Sequence, residues 1–307
     1  MNHPLKIYAA PLQGFTDRVW RNAHHEVWGG IDAYYAPFMR VTGGEIPHRD
    51  VAEALPQNNT APLRPQILAS PPAQAVMMAQ RLRDMGHECI DINLGCPHPP
   101  IALKGKGSGM LARPAECQAM LEALAQIEGV AYSVKMRLGY DKPTQWKEIL
   151  PLLDIIQPQE IVVHPRIGKQ LYKGALAMDE FAALATACHY PIVFNGDITE
   201  AAQIEQLKSH FPALSGIMVG RHLIAQPDFF SEEKSVEKLM QFHQLLFSAY
   251  SSALTGGDHQ VLSKMKALWE MMLPDADKKA RKLIKKSSDL TKYQAAVNLL
   301  FSNLNLK

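Results

Sequence analysis

Cys89-Ile90-Asp91-Ile92-Asn93-Leu94-Gly95-Cys96-Pro97 is an apolar, strand-like run that ends in an asparagine and a cysteine fixed by Gly and Pro. A cysteine at the carboxyl end of a buried strand sits where barrel enzymes keep their chemistry. Read from this segment alone, Cys96 is packing, a nucleophile or an acid, and the choice among them needs the rest of the chain.

Working outward, short apolar runs alternate with longer amphipathic ones. Strands are expected at 7–10, 32–37, 64–69, 89–94, 132–137, 160–164, 191–195 and 216–220. Helices are expected at 17–28, 73–85, 114–127, 144–156, 179–187 and 199–211. Such alternation implies right-handed βαβ units and a parallel sheet. Eight units in the first 232 residues is the arithmetic of a (β/α)8 TIM barrel. A doubly wound open sheet is the runner-up, but Pro11-Leu12-Gln13-Gly14-Phe15-Thr16-Asp17 after the first strand is not the glycine fingerprint that such sheets carry. Residues 39–62 lack a helical period and read as an elaborated loop with room for one short helix. After Phe230 the strand-like runs stop. Helical stretches at 236–254, 260–272 and 278–301 describe a small C-terminal bundle, which divides the chain into 1–232 and 233–307.

The 307 residues are 47% hydrophobic and 20% charged, which excludes a fully disordered protein. The formal net charge of +2 says little as a total. Cys89, Cys96, Cys117 and Cys188 are widely spaced without CxxC, so neither a zinc site nor a disulfide framework is suggested, and a reducing, cytoplasmic setting fits. No histidine triad, HExxH or GxSxG emerges, so no metal is expected. Met1-Asn2-His3-Pro4-Leu5-Lys6 has no leader pattern, and no apolar run reaches the ~18 residues of a membrane span.

Polar residues fall at the expected ends of successive strands: Gln66, Asn93, Lys135 with Arg137, His164 with Arg166, and Asn195. Singly each is a loop polar at a strand exit. As a set they argue a shared pocket at the barrel's top face. Asn195-Gly196-Asp197 and Gly220-Arg221 follow the last two strands, where barrels often bind phosphate: glycines admit backbone N–H groups to an anion and an arginine can pair with it. Lys135, in an apolar run, suits the electron-rich edge of a reduced flavin, or else an ion pair with Asp91. In the tail, Lys278, Lys279, Arg281, Lys282, Lys285 and Lys286 form a run that is either a phosphate-backbone footprint or a solvated helix face.

Together these residues resemble the tRNA-dihydrouridine synthases over nearly the whole chain. The matches run in order: Ala10-Pro11-Leu12-Gln13-Gly14-Phe15-Thr16-Asp17, Arg64-Pro65-Gln66-Ile67, Asp91 through Pro97, Lys104 with Gly107-Ser108-Gly109-Met110-Leu111, Val134-Lys135-Met136-Arg137-Leu138-Gly139, Val163-His164-Pro165-Arg166, Asn195-Gly196-Asp197-Ile198 and Val219-Gly220-Arg221. Departures are Leu12 for a usual Met, Pro165 for a small residue, and Met178 for an aromatic.

The resemblance implies an FMN enzyme reduced by NADPH, which passes hydride to C6 of a uracil while Cys96 protonates C5. It implies flavin contacts from Pro11, Leu12, Gln13, Gln66, Lys135 and His164. It places Asn195, Gly196, Asp197, Gly220 and Arg221 at the phosphate, and Asn93, Arg166 and Arg137 near the uracil. The partner is a tRNA whose uridine is flipped into the pocket, gripped by the basic tail, with the enzyme a monomer. The competing readings are a free-pyrimidine flavin oxidoreductase of the dihydroorotate dehydrogenase type and a catalytically silent tRNA-binding barrel.

Overall fold

Hydrogen bonding across Pro65 decides how the sheet closes. The computed structural model describes residues 5–304, so most of the leader reading at Met1–Lys6 lies outside the described residues. Its order is β1 (Lys6–Ala9), α1 (Arg18–Val27), β2 (Ala33–Tyr35), α2 (His48–Ala54), β3 (Leu63–Arg64), β4 (Gln66–Leu68), α3 (Pro72–Asp84), β5 (Cys89–Leu94), α4 (Pro99–Ala102), α5 (Pro114–Ala125), β6 (Ala131–Gly139), α6 (Trp146–Ile149), β7 (Ile161–Ile167), α7 (Met178–Ala187), β8 (Ile192–Asn195), α8 (Ala201–His210), β9 (Gly216–Val219) and α9 (Arg221–Ala225). The strands run parallel in the order β3-β2-β1-β9-β8-β7-β6-β5-β4. The strand expected at 64–69 is interrupted because Pro65 has no N–H to give a ladder. Its first half pairs with β2 and its second half with β5, and the Asp91 N–H donates to the Pro65 carbonyl at 2.9 Å. Chain continuity through Pro65 therefore closes eight strands into a (β/α)8 barrel.

Strands enclosed by helices are buried on both faces, and Ile161, Val162 and Val163 are all fully buried. Beneath the top face the barrel is plugged by Tyr8, Tyr35 and Glu160, whose carboxylate accepts both hydroxyls at 2.7 and 2.9 Å. β6 and β7 slip register where Arg137 pairs with His164 but Gly139 pairs with Ile167. The extra residue falls around Pro165, and a bulge is where a strand tolerates a missing donor.

Two expected helices differ in the structure, and the loop expected at 39–62 has its one short helix. The helix expected at 144–156 is one α turn, α6, followed by a 3-10 helix Leu150–Ile155, since Pro151 removes an α-helical donor. The loop at 39–62 holds α2 and a 3-10 turn Pro56–Asn58. The stretch 278–301 is two helices rather than one.

The tail is α10 (Val236–Ala253), α11 (Gly257–Trp269), α12 (Lys278–Lys286) and α13 (Leu290–Ser302). α12 and α13 part at Ser287-Ser288-Asp289, where Asp289 caps α13 by accepting the Lys292 N–H at 2.8 Å. The composition change at 232 lies in the turn before Ser235, the N-cap of α10. Barrel and tail share one apolar core: Trp20 of α1 and Trp28, which caps that helix, pack against Phe242 of α10, with ring centroids 6.2 and 5.0 Å apart.

Asp17 joins the two halves. One carboxylate oxygen accepts the Trp20 N–H of α1 at 3.1 Å and the Tyr250 hydroxyl at 2.7 Å, and the other pairs with Lys264 at 2.7 Å. Replacing Asp17 by Ala removes a helix cap and both tail bonds at once, an expected loss on the order of 2–3 kcal/mol. Chemical denaturation checks this against Asp17→Asn, which keeps the cap and should lose clearly less.

Candidate active site

β5 ends by turning its main chain around the Asn93 side chain. Asn93 Oδ1 accepts the N–H groups of Gly95 and Cys96 at 3.0 and 2.7 Å. On the other side the Cys96 carbonyl accepts the Ser108 N–H and hydroxyl at 3.0 and 2.9 Å. Gly107 comes so close that a Cβ there would stand 3.0 Å from Cys96 Cβ, and its φ of +55° is left-handed, so a glycine is needed on both counts. Cys96 is thus held by backbone on both flanks, and its thiol lines a cavity of about 640 Å³ at the carboxyl ends of the strands. Burial pushes the thiol pKa up, with partial opposition from the His98 N–H, Arg137 and Lys135, so Cys96 carries its proton at neutral pH.

The next two strands set cations around the same cavity. Lys135 of β6 donates to Asn195 Oδ1 at 2.8 Å, and Asn195 in turn donates to the Met218 carbonyl at 2.8 Å. The Asp91 carboxylate acts on the lysine only through its charge, which favours the cation. Burial, with Arg137 adding to it, draws the lysine pKa down to about 8, which leaves it a cation at pH 7. Arg137 donates to the carbonyls of Gly95 and Ile167 at 3.1 and 2.9 Å and so braces the Cys96 loop. Burial and the surrounding Arg137, Lys135, Arg166 and Arg221 hold the His164 pKa well below the imidazole range. Arg166 approaches its Nε2 at 3.2 Å. An arginine can only donate there, which assigns the histidine proton to Nδ1.

The cavity wall includes Pro11, Leu12, Gln13, Asn93, Cys96, Lys135, Arg137, His164, Asn195, Gly196, Asp197, Gly220 and Arg221, all singled out in the sequence. Gln66 and Arg166 are not in it. Gln66 lies beneath, between Asp91 and Asn93, and Arg166 points away from the space to grip the Gly174 carbonyl and the Asp197 carboxylate. Asp197 also takes Arg221 at 2.7 Å, and the hydrogen bond from Arg166 leads in holding its carboxyl below the usual range. Its negative side chain is therefore spent on two arginines. At Gly220 a Cβ would stand 3.1 Å from that of Ala10, a tight contact that a larger residue could make only if β1 gave way by a few tenths of an ångström.

Tyr172, Phe38, His222, Glu270, Met271 and Pro274 also line the cavity. Tyr172 carries no strand-end signal; the guanidinium groups of Arg137 and Arg221 lie 5.4 and 4.6 Å from its ring centroid. Glu270, Met271 and Pro274 come from the tail and carry no sequence signal that ties them to the barrel mouth. On α12, Lys278, Lys279, Lys282, Lys285 and Lys286 are exposed while Ala280 and Ile284 are buried. Arg281 turns inward and donates to the carbonyls of Leu273 and Trp269 at 2.7 and 2.9 Å.

A parallel barrel with a neutral thiol, a buried lysine and glycine-bearing loops around a cavity at its carboxyl end defines a barrel enzyme. Among the described residues no group of three or more His, Cys, Asp or Glu could hold a metal ion. No described helix is long and apolar enough to cross a membrane. The chain belongs to the dihydrouridine synthase (Dus) family, whose model matches residues 8–302. It is 28% identical over 255 residues to a probable tRNA-dihydrouridine synthase of Staphylococcus epidermidis, spanning 78% of this chain and 77% of that one. It is 29% identical over 219 residues to a Rhodobacter capsulatus protein of the same description, 70% and 66% of the two chains. Among solved structures, the old yellow enzyme from Trypanosoma cruzi matches with a TM-score of 0.53 at 9% identity, over 73% of this chain and 86% of that one, a likeness of fold alone.

Proposed function

We propose that the protein reduces the C5–C6 double bond of uridines in tRNA to 5,6-dihydrouridine, using FMN that NADPH reduces. The observation that carries the reading is the seat of Cys96: a protonated thiol fixed by Asn93 and Ser108 in the wall of a cavity that also holds Lys135. A volume of about 640 Å³ falls within the roughly 300–1,000 Å³ of cofactor pockets. The donor set fits a flavin mononucleotide: an apolar wall at Ala10–Leu12, the buried cation Lys135, and Gly196, Gly220 and Arg221 for a phosphate.

Bound and reduced, the flavin supplies the hydride to C6. The protein's part is the proton. Cys96 Sγ holds it until C5 develops negative charge, and the thiolate left behind faces Arg137 and Lys135, whose charges favour it. His164, neutral and protonated at Nδ1 with Nε2 taken by Arg166, can donate one further bond. The uracil must leave its stack to enter the cavity, and the five exposed lysines of α12 favour an RNA over a free pyrimidine. The four free cysteines suit cytoplasmic operation, and a monomer suffices because every group named above comes from one chain.

Purified protein should be yellow and release FMN on denaturation. A colourless protein that free FMN cannot reconstitute would sink the flavoenzyme reading.

A further inference from the structure

Asp91 is fully buried and does not line the cavity, yet it lies at the end of a hydrogen-bond chain that begins at Cys96. The N–H groups of Gly95 and Cys96 donate to Asn93 Oδ1. Asn93 Nδ2 donates to Gln66 Oε1 at 2.7 Å, and Gln66 Nε2 donates to Asp91 Oδ2 at 2.6 Å. Every bond points the same way, toward the carboxylate. Two amides in series could each be turned over, but an ionised carboxylate can only accept and the two main-chain N–H groups can only donate. Both ends of the chain therefore impose one orientation on Asn93. An anionic acceptor strengthens the bond it receives, and bonds in series polarise one another.

We infer that Asp91 is a positioning residue: through Gln66 it orients the Asn93 amide and so holds the Cys96 loop where the thiol can act. The inference rests on the proposed role of Cys96, but the geometry of the chain exists whatever the reaction is. It also explains why Gln66 and Asn93 have little left to offer a ligand. Each of the two amides is bonded at both its oxygen and its nitrogen and keeps one N–H.

The charge on Asp91 is held under tension. Burial pushes its pKa up to about 6, opposed by the bonds from Gln66 and Ser133 and by the charges of Arg64 and Lys135. Those groups face it from β3, β4 and β6. Tyr35 of β2 and Cys89 of its own strand also sense it. Since the folded-state pKa is raised, the protonated form is the one that folding favours: stability tied to this carboxyl is present at low pH and is lost as pH rises through about 6. The grip on Cys96 runs the opposite way, weakening as pH falls through the same range.

The test compares Asp91→Asn and Asp91→Leu with Ser133→Ala, which removes the other bond to Asp91, Ser133 Oγ to Oδ1 at 2.8 Å, without touching the chain. Expected for Asp91→Leu is a kcat lowered roughly tenfold or more with KM within about twofold, unchanged FMN content, and a severalfold change in the rate at which iodoacetamide alkylates Cys96, read by peptide mass spectrometry. Asp91→Asn should lose a few-fold in kcat and lack the fall in kcat below about pH 6 that is expected of the native enzyme. Ser133→Ala should stay near native. Native kcat and native Cys96 alkylation in both Asp91 variants overturn the inference. So does a lowered kcat that merely tracks lost flavin or a lowered melting temperature. Alkylation needs no turnover, so a protein inactive on tRNA would refute the proposed function and still leave this reading testable.

Discussion

Cys96→Ala is expected to keep its flavin and lose dihydrouridine formation by about 10²–10⁴-fold, the range that a positioned general acid contributes. The flavin should stay because Cys96 is only one part of a wall that Ala10–Gln13, Lys135 and the glycine loops also build. The rate should go because no other acid occupies the same place. His164 is neutral, and Lys135 is engaged with Asn195. The pH dependence follows from the thiol. Burial raises its pKa, so the acid form persists beyond the ordinary thiol range, and the alkaline limb of kcat should lie there and vanish in the variant. The measurement is single-turnover oxidation of prereduced flavin by tRNA, with dihydrouridine counted by nucleoside mass spectrometry. Full activity in Cys96→Ala would remove the acid role and leave the thiol as packing.

The second large effect is on binding. Replacing Lys278, Lys279, Lys282, Lys285 and Lys286 by Gln should weaken tRNA affinity at least tenfold near 0.15 M salt. The slope of log affinity against log salt should flatten by roughly one unit for each lysine that sits on a phosphate. Turnover at saturating tRNA should be close to native, because none of the five lines the cavity. Arg281→Ala is the contrasting variant. Its guanidinium holds the carbonyls that end α11, so its loss should appear as lower stability, with the salt slope unchanged. An unaltered affinity in the five-lysine variant would make α12 a solvated helix.

Those two cases mark where the sequence was and was not legible. Strand ends could be read because polar residues interrupt apolar runs, and Asn93, Lys135, His164 and Asn195 do meet around one cavity. What a side chain does after leaving its strand could not be read. Gln66 and Arg166 sit at strand ends like the others, but the first dives between Asp91 and Asn93 and the second turns to Asp197. Arg281 looks like its neighbours in a run of lysines, and only the helix period separates its inward face from theirs. Punctuation at Pro65, Pro151 and Asp289 carried local signals that were masked by the apolar or basic runs around them. Glu270 and Met271 reach the cavity through packing between distant segments, and no local pattern encodes that.

The attachment at Asp17 bears on how such enzymes could be redirected. Its carboxylate ends in the barrel's first helix and in two tail helices, the same core runs through both, and the tail supplies part of the cavity rim. Exchanging the tail at residue 232 to retarget the enzyme would sever a continuous core and open the pocket's edge. A graft that works would have to carry α1 and the 10–17 loop along with the tail, so the transplantable unit crosses the boundary that chain order suggests.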